Sequence, residues 1–390
     1  MQRYKTHICL VSQNEEFNIT PALHSNFKPD DVLLIHPTWF RQKAENIAEV
    51  FHRHQIKTRF LEIKDKKDTV KITEQVNQAI DNILNQYKPD PQDNKVSPLV
   101  LNVTGGSQLL GIICYEIFTE RQLPAFYVNK ASDRLYFLPL KDQNSYQFDL
   151  EDRLKLRDYL LAYGIKPVNE MNPHEQIPKN HQKVCHELIH QLDKFQKSLG
   201  KFNYYASQTG KNFQSKITPS DRHDKRFMAL VKLFADMDII RYDGKLFDFK
   251  NEQNRFFCNG GWLEEYVFTE LRSLKKQLMI QDIVMGLEIE LPCGSKNELD
   301  VAFMANNRFY LIECKTKRYN GHTAGNNTLY KLDTIKHYGS PQSKALLVSY
   351  HKLTHSNRRR ASDYQLTIIS AYQIKHLKQH IIDWMSEPEN

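Results

Sequence analysis

The residues of this chain best suited to chemistry lie between Gly260 and Lys315. Gly260 to Val267 reads Gly-Gly-Trp-Leu-Glu-Glu-Tyr-Val, Asn297 to Asp300 reads Asn-Glu-Leu-Asp, and Leu311 to Lys315 reads Leu-Ile-Glu-Cys-Lys. Leu299 to Met304 is apolar around one acid, Ala305-Asn306-Asn307 is turn-forming and Phe309 to Lys315 is strand-like, which predicts a hairpin. Strand alternation puts Phe309, Leu311, Glu313 and Lys315 on one face and Tyr310, Ile312 and Cys314 on the other. A carboxylate and an ammonium on a strand that is otherwise apolar are costly to bury unless they meet a cation, each other or a substrate. Asp300, on the preceding strand, reaches the same spot. An acid followed on the next strand by Glu-x-Lys supplies oxygen ligands for a divalent metal and a lysine to orient or activate water, a set suited to phosphodiester hydrolysis. The bland alternative is a cross-strand salt-bridge cluster.

The segment before this hairpin reads as a helix. Leu263, Val267, Leu271, Leu274 and Leu278 gather on one side, Glu264 lies at the edge of that stripe, and Glu265 points roughly opposite. Glu264 is therefore expected to face inward and Glu265 to face solvent.

Helix acid, Asp and Glu-x-Lys together resemble the restriction-endonuclease-like PD-(D/E)xK nucleases. The fuller run of Gly-Gly-Trp-Leu-Glu-Glu-Tyr-Val, Glu-Leu-Asp-Val and Glu-Cys-Lys is similar to the branch fused to an N-terminal CARF domain, the CRISPR ancillary nucleases. Leu299 stands where that pattern usually has proline before the Asp. The resemblance implies Glu264, Asp300 and Glu313 as ligands of Mg²⁺ or Mn²⁺, and Lys315 as the residue that positions water.

With 390 residues, two or three domains are expected. The 54 basic and 46 acidic residues leave a net charge of +8, which favours an anionic partner. No apolar run is long enough to span a bilayer and no signal sequence is recognisable, so a cytoplasmic protein is expected. Six scattered cysteines without a Cys-x-x-Cys pair read as reduced thiols.

Residues 1–150 alternate strand patterns (His7 to Val11, Asp31 to His36, Thr58 to Ile63, Leu99 to Val103, Ala125 to Val128) with helical ones (Thr38 to His54, Thr69 to Tyr87, Ser107 to Arg121). Strands with few polar alternations, separated by helices, predict a Rossmann-like parallel sheet covered on both faces, closed by a hairpin over 133–150. Ligands of such folds sit beyond the carboxyl ends of the strands, where strand order reverses. Two loops fall there: Ser12-Gln13-Asn14, and Asn102 to Gln108, whose glycines, hydroxyls and helix-start amides suit a phosphate. A plain strand-to-helix turn needing glycine is the alternative. The Asn-x-Thr-Gly-Gly-Ser run resembles the CARF signature. It implies a homodimer that binds a cyclic oligoadenylate, most often the tetra-adenylate, with Ser12, Gln13, Thr104, Gly105, Gly106, Ser107 and Gln108 as binding candidates.

Residues 151–254 are expected to connect the two ends: a helix over Glu151 to Ala162, a linker over Lys166 to Asn180, helices over His181 to Leu199 and Lys225 to Asp236, and a hairpin at Asp243-Gly244. Helices followed by such a wing suggest a winged-helix-like spacer. His186-Glu187-Leu188-Ile189-His190 matches the zincin spacing, but no third ligand follows at a known distance, so it reads as the flank of an amphipathic helix. Residues 255–390 form the nuclease half, with a glycine-bearing loop over Asn320 to Asn327, a helix from Thr328 to His337, strands at Ala345 to Ser349 and Leu366 to Ile369, and a closing helix from Ala371 to Met385. Lys331, Lys336 and Arg358-Arg359-Arg360 point to a phosphate backbone or to water, with Lys331, Arg358 and Arg359 the candidates for nucleic-acid contact.

The function expected is thus a metal-dependent endonuclease of DNA or RNA, switched by cyclic tetra-adenylate in type III CRISPR defence. Two other readings stay open: a ligand-responsive CARF and winged-helix transcriptional regulator with an inert C-terminal domain, and a restriction or repair nuclease outside CRISPR.

Overall fold

The computed structural model describes residues 2–64, 67–87, 96–129, 132–139, 146–318 and 322–387. Largely apolar runs of five to eight residues build the first five strands of the first sheet, β1 (Arg3–Leu10), β2 (Asp31–Pro37), β3 (Lys57–Ile63), β4 (Val96–Asn102) and β5 (Ala125–Asn129), and the shorter β6 (Arg134–Phe137) and β7 (Gln147–Asp149) complete it. Their order is β3-β2-β1-β4-β5-β6-β7, with β1 to β5 parallel and the last two strands antiparallel. The chain steps outward from β1 to β3, then returns to β4 on the other side of β1. The switch point therefore lies at the carboxyl ends of β1 and β4, where the two predicted loops stand. Helices α1 (Glu16–Leu23), α2 (Arg41–Arg53), α3 (Thr69–Gln86) and α4 (Gln108–Glu120) connect the strands. The short, fully buried α1, with Pro21 inside it, has no periodic signal and was not expected from sequence.

Residues 151–254 depart from the expected layout in three places. The helix α5 begins only at Leu156 and runs to Ala162. Upstream the backbone is held out of the helix by tertiary bonds, Leu154 N to Asn307 Oδ1 (3.2 Å) and Leu156 N to Asp282 Oδ2 (3.1 Å). The expected linker contains β8 (Lys166–Pro167), which adds to the edge of the C-terminal sheet. The expected single helix after it is three: α6 (Lys179–His190), α7 (Leu192–Phe195) and α8 (Ser198–Ser207). β9 (Gln214–Lys216), α9 (Pro219–Arg222), α10 (Lys225–Asp236), β10 (Arg241–Tyr242) and β11 (Leu246–Asp248) follow, and β10, β11 and β9 pair as a small antiparallel sheet with the Asp243-Gly244 turn between β10 and β11.

After α11 (Glu252–Phe256) and α12 (Trp262–Ser273) come β12 (Ile280–Glu290), β13 (Lys296–Ala305), β14 (Arg308–Lys315), α13 (His322–Tyr338), β15 (Lys344–Ser349), α14 (His355–Asp363), β16 (Thr367–Ser370) and α15 (Leu377–Ser386). The sheet order is β16-β15-β14-β13-β12-β8. β12 was not read from sequence because Gln281, Asp282, Gly286 and Glu288 interrupt its apolar pattern. α13 starts at His322, inside the expected loop, of which Asn320 and Gly321 lie outside the described residues. The closing helix is preceded by a 3₁₀ turn over Ala371–His376. No described helix is long and apolar enough to cross a membrane.

Two buried clusters tie these pieces together. One joins the helices of 177–274 to one face of the six-stranded sheet through Trp262, Phe303, Tyr310 and Tyr350. The other runs from Cys9, Leu34 and α2 through Tyr159 and Leu160 to the opposite face of that sheet, at Met304, Phe309 and Leu311. The N-terminal and C-terminal halves share a core, so a shift in one is resisted by close packing in the other.

Candidate active site and ligand pocket

Alternation places β14 as expected: Tyr310, Ile312 and Cys314 pack in the first cluster, Phe309 and Leu311 in the second. The β13–β14 ladder runs from Ala305↔Arg308 to Val301↔Ile312. Just past its last pair, Asp300 turns its carboxylate to accept the Cys314 N–H (2.7 Å). A side chain thus satisfies a strand donor where the ladder ends, and Asp300 is fixed beside Glu313. Lys315 Nζ lies 2.5 Å from Glu313 Oε1 and 3.9 Å from Asp300 Oδ2. Asp300 and Glu313 are both nearly fully buried.

Glu264 approaches from α12. A stretch of π-helix over Phe257–Gly261 precedes it, with Gly260 at φ +114. A Cβ on Gly260 would sit 2.3 Å from Thr316 Oγ1, and one on Gly261 would sit 2.2 Å from the Phe256 ring. The glycine pair therefore allows the kink that seats the helix start against the end of β14. Burial, then the charges of Asp300, Glu298 and Glu313, pushes the Glu264 carboxyl well above its ordinary range against the pull of Lys315. Asp300 is raised likewise, by burial first and Glu313 second. For Lys315 burial works downward, but Glu313 and Asp300 outweigh it and hold the ammonium charged. Glu264 Oε2 is buried without a hydrogen-bond partner.

Glu265 departs from expectation. It is buried, not solvated, and its carboxylate meets His181 Nδ1 at 2.8 Å while His181 Nε2 meets Asn254 Oδ1 at 3.1 Å. The reason is packing: α6 covers the side of α12 that a helical wheel assigns to water, and a buried carboxylate then needs a partner. Lys331 is also redirected. Its Nζ bonds Glu313 Oε2 at 3.0 Å, so the acid is clasped by two ammonium groups. Lys336 turns to the Tyr364 carbonyl (2.9 Å). Arg358 and Arg359 are exposed on α14, the former with a bond to Ser370 Oγ (3.2 Å). His186 and His190 are exposed on α6. Among the described residues no three His, Cys, Asp or Glu side chains form a preset metal cage, and Lys315 is paired with Glu313.

At the other end, Val11, Ser12, Gln13, Asn14, Trp39 and Thr104 help to line a pocket of about 460 Å³, and Gly106 and Ser107 reach it too. The hydroxyls expected to face a ligand also brace the loop: Thr104 Oγ1 accepts from Val128 N (2.8 Å) and Ser107 Oγ from Leu110 N (3.2 Å), leaving each O–H free to donate outward. Gly105 and Gln108 do not line the pocket. A Cβ on Gly105 would lie 2.0 Å from the Leu10 carbonyl, so the close approach it permits is to β1. Buried Asn102 organises the loop, donating to Phe17 O (2.8 Å) and accepting from Thr104 N (3.0 Å). It stood in the motif without a role.

Two family profiles match the chain: Card1 CARF domain over residues 6–159, and Card1-like endonuclease domain over residues 250–387. Among solved structures, protein VC1899 from Vibrio cholerae aligns at a TM-score of 0.84 and 24% identity, over 97% of each chain. Can2 from Sulfobacillus thermosulfidooxidans, solved with cyclic tetra-adenylate, aligns at 0.75 and 24% over 98% of this chain and 99% of its own. A type III CRISPR defence DNA nuclease activated by cyclic oligoadenylate aligns at 0.56 and 14% over 90% of this chain and 46% of its own. No protein of curated function matches in sequence. With the first domain at the switch-point pocket and the second at the acid cluster, the chain joins a Card1 CARF domain to a Card1-like endonuclease domain.

Proposed function

We propose that the chain is a metal-dependent endonuclease, switched on by cyclic tetra-adenylate in type III CRISPR antiviral defence in the cytoplasm. In this reading residues 1–150 sense the ligand, 151–254 connect and 255–390 cut. The observation that carries it is the convergence of Glu264, Asp300, Glu313 and Lys315 at the open end of the β13–β14 hairpin. The donor set suits a hard divalent cation: Glu264, Asp300 and Glu313 supply hard carboxylate oxygens near enough for the charges of Asp300 and Glu313 to raise Glu264, and Glu264 Oε2 has no hydrogen-bond partner. Glu264, Asp300 and Glu313 would hold Mg²⁺ or Mn²⁺, which when bound polarises the scissile phosphate and acidifies the attacking water. Lys315 orients that water and offsets the negative charge that develops on phosphate. Lys331 fixes the far oxygen of Glu313.

The pocket loops offer the cyclic ligand Ser12, Gln13, Thr104, Gly106 and Ser107 as neighbours, with donors at the start of α4 for its phosphates, while Gly105 shapes the loop from behind and Gln108 lies off the lining. Trp39, Leu109 and Ile112 line or flank the pocket yet are 56%, 42% and 64% exposed, which suits a second copy closing over the ligand. Coupling between the ends has a physical carrier. Residues 12–14 lead into Glu16, whose carboxylate takes hydrogen bonds from Tyr163 and from Ser340 Oγ at the end of α13, the helix of Lys331.

The test is cleavage of RNA, single-stranded DNA and supercoiled plasmid in Mn²⁺ or Mg²⁺, with and without cyclic tetra-adenylate. Glu313→Ala and Lys315→Ala should abolish cutting and keep ligand affinity; normal cutting by either variant removes the site assignment.

A further inference from the structure

A groove of about 730 Å³ opens at the residue after Lys315. One wall is the strand exit, Thr316, Lys317 and Arg318, with His351 beyond β15; the other is α8, from the connector. Lys197, Gly200, Lys201 and Tyr204 recur at three- and four-residue spacing and so share one face of that helix. Tyr204 is 57% exposed, whereas its neighbour Tyr205 is buried and bonded to Asp221 (2.6 Å). Lys197, Lys317 and Arg318 are exposed and have no carboxylate partner among the described residues. Asn259, at the end of the groove, has a buried Oδ1 with no hydrogen-bond partner. A Cβ on Gly200 would meet nothing within 4 Å, so packing does not require glycine in this helix, where it is destabilising relative to alanine. Its bareness keeps the groove open between Lys197 and Tyr204.

We propose that this groove is the track along which single-stranded nucleic acid reaches the acid cluster, with Tyr204 stacking on a base and Lys197, Lys317 and Arg318 contacting phosphates. The proposal rests on the nuclease reading above and makes the connector part of the substrate site. Single strands are specified by the chemistry. The exposed Tyr204 ring, braced edge-on by Tyr205 at 5.6 Å between centroids, can stack only on a base released from its helix, and cations spaced along a groove track a backbone of any sequence. Bases and phosphates are common to DNA and RNA, so both are admitted.

The experiment uses the full chain carrying Glu313→Gln, so that binding is read apart from cutting. Fluorescein-labelled oligothymidylate, oligouridylate and a duplex of equal length are titrated by anisotropy over a salt series, with cyclic tetra-adenylate present. Tyr204→Ala should weaken single-strand binding about tenfold. Lys317→Gln with Arg318→Gln should lower the slope of log affinity against log salt by about 1.4. Gly200→Leu should melt no lower than its parent yet bind more weakly, which separates a blocked groove from a lost fold. Equal binding of the two single strands supports recognition of their shared chemistry, and preference for one names the substrate. If these variants bind single strands like the parent, or if duplex binds tighter and Tyr204→Ala is neutral, the track is wrong. If the variants lose binding but the unmutated chain cuts nothing, the nuclease reading fails and the groove stands.

Discussion

Glu16 and Ser340 stand 324 positions apart in sequence, and the Ser340 hydroxyl donates to the Glu16 carboxylate over 2.6 Å inside the protein. Tyr163 shares that carboxylate, and Ser340 N in turn donates to Tyr159 OH (2.7 Å). A carboxylate that begins next to the ligand loop is thus shared with the end of the helix carrying Lys331. If ligand binding moves Glu16, Ser340→Ala should uncouple the ends: activation by cyclic tetra-adenylate falls about 5- to 150-fold, while unactivated cleavage stays level. Linkage is reciprocal for binding, so the factor by which ligand tightens substrate binding and the factor by which substrate tightens ligand binding should fall equally, as measured by calorimetry on single and double variants with Tyr163→Phe.

Lys331 clasps the oxygen of Glu313 that Lys315 does not. Lys331→Met should lower cleavage at limiting Mn²⁺ by about tenfold or more and change its metal dependence, whereas Lys315→Ala should abolish it at any metal concentration. A metal titration of single-turnover rates checks the contrast.

The Glu265–His181 pair is buried on both sides. Truncating one partner strands a buried polar group, so Glu265→Ala should destabilise the fold by about 3–5 kcal/mol. Denaturant unfolding measures this. Cleavage per folded molecule should survive, which distinguishes Glu265 from its neighbour Glu264.

Burial pushes the Glu15 carboxyl up to about 7, with Lys43 opposing it. Because the folded value exceeds the unfolded one, the folded state holds the extra proton, and its stabilising effect is complete below pH 4.5 and lost as pH rises through 7. Glu15→Gln should flatten that decline, so its melting temperature relative to the unmutated chain should rise from pH 5 to pH 8. A parallel slope in both proteins refutes the assignment.

Gly105→Ala should fail to fold or lose ligand binding, since its methyl would overlap the Leu10 carbonyl. Gly200→Ala, with open space around it, should instead stabilise by up to about 1 kcal/mol. Thermal melts compare the two.

The sequence by itself determined the parallel sheet, because its strands are apolar runs flanked by amphipathic helices, and it determined the faces of β14, because alternation has a fixed period of two. Asp300, Glu313 and Lys315 were legible for the same reason: polar groups on an apolar strand have few places to go. What surrounds each element was not legible. A wheel sent Glu265 to water because it cannot know that α6 covers that side. Lys331 looked like a surface cation until the fold laid α13 across β14. The non-helical backbone before α5, the edge strand β8 and the partnership of Glu16 with Ser340 all depend on hydrogen bonds between distant segments. Local propensity carries no information about those, and only tertiary packing decides them.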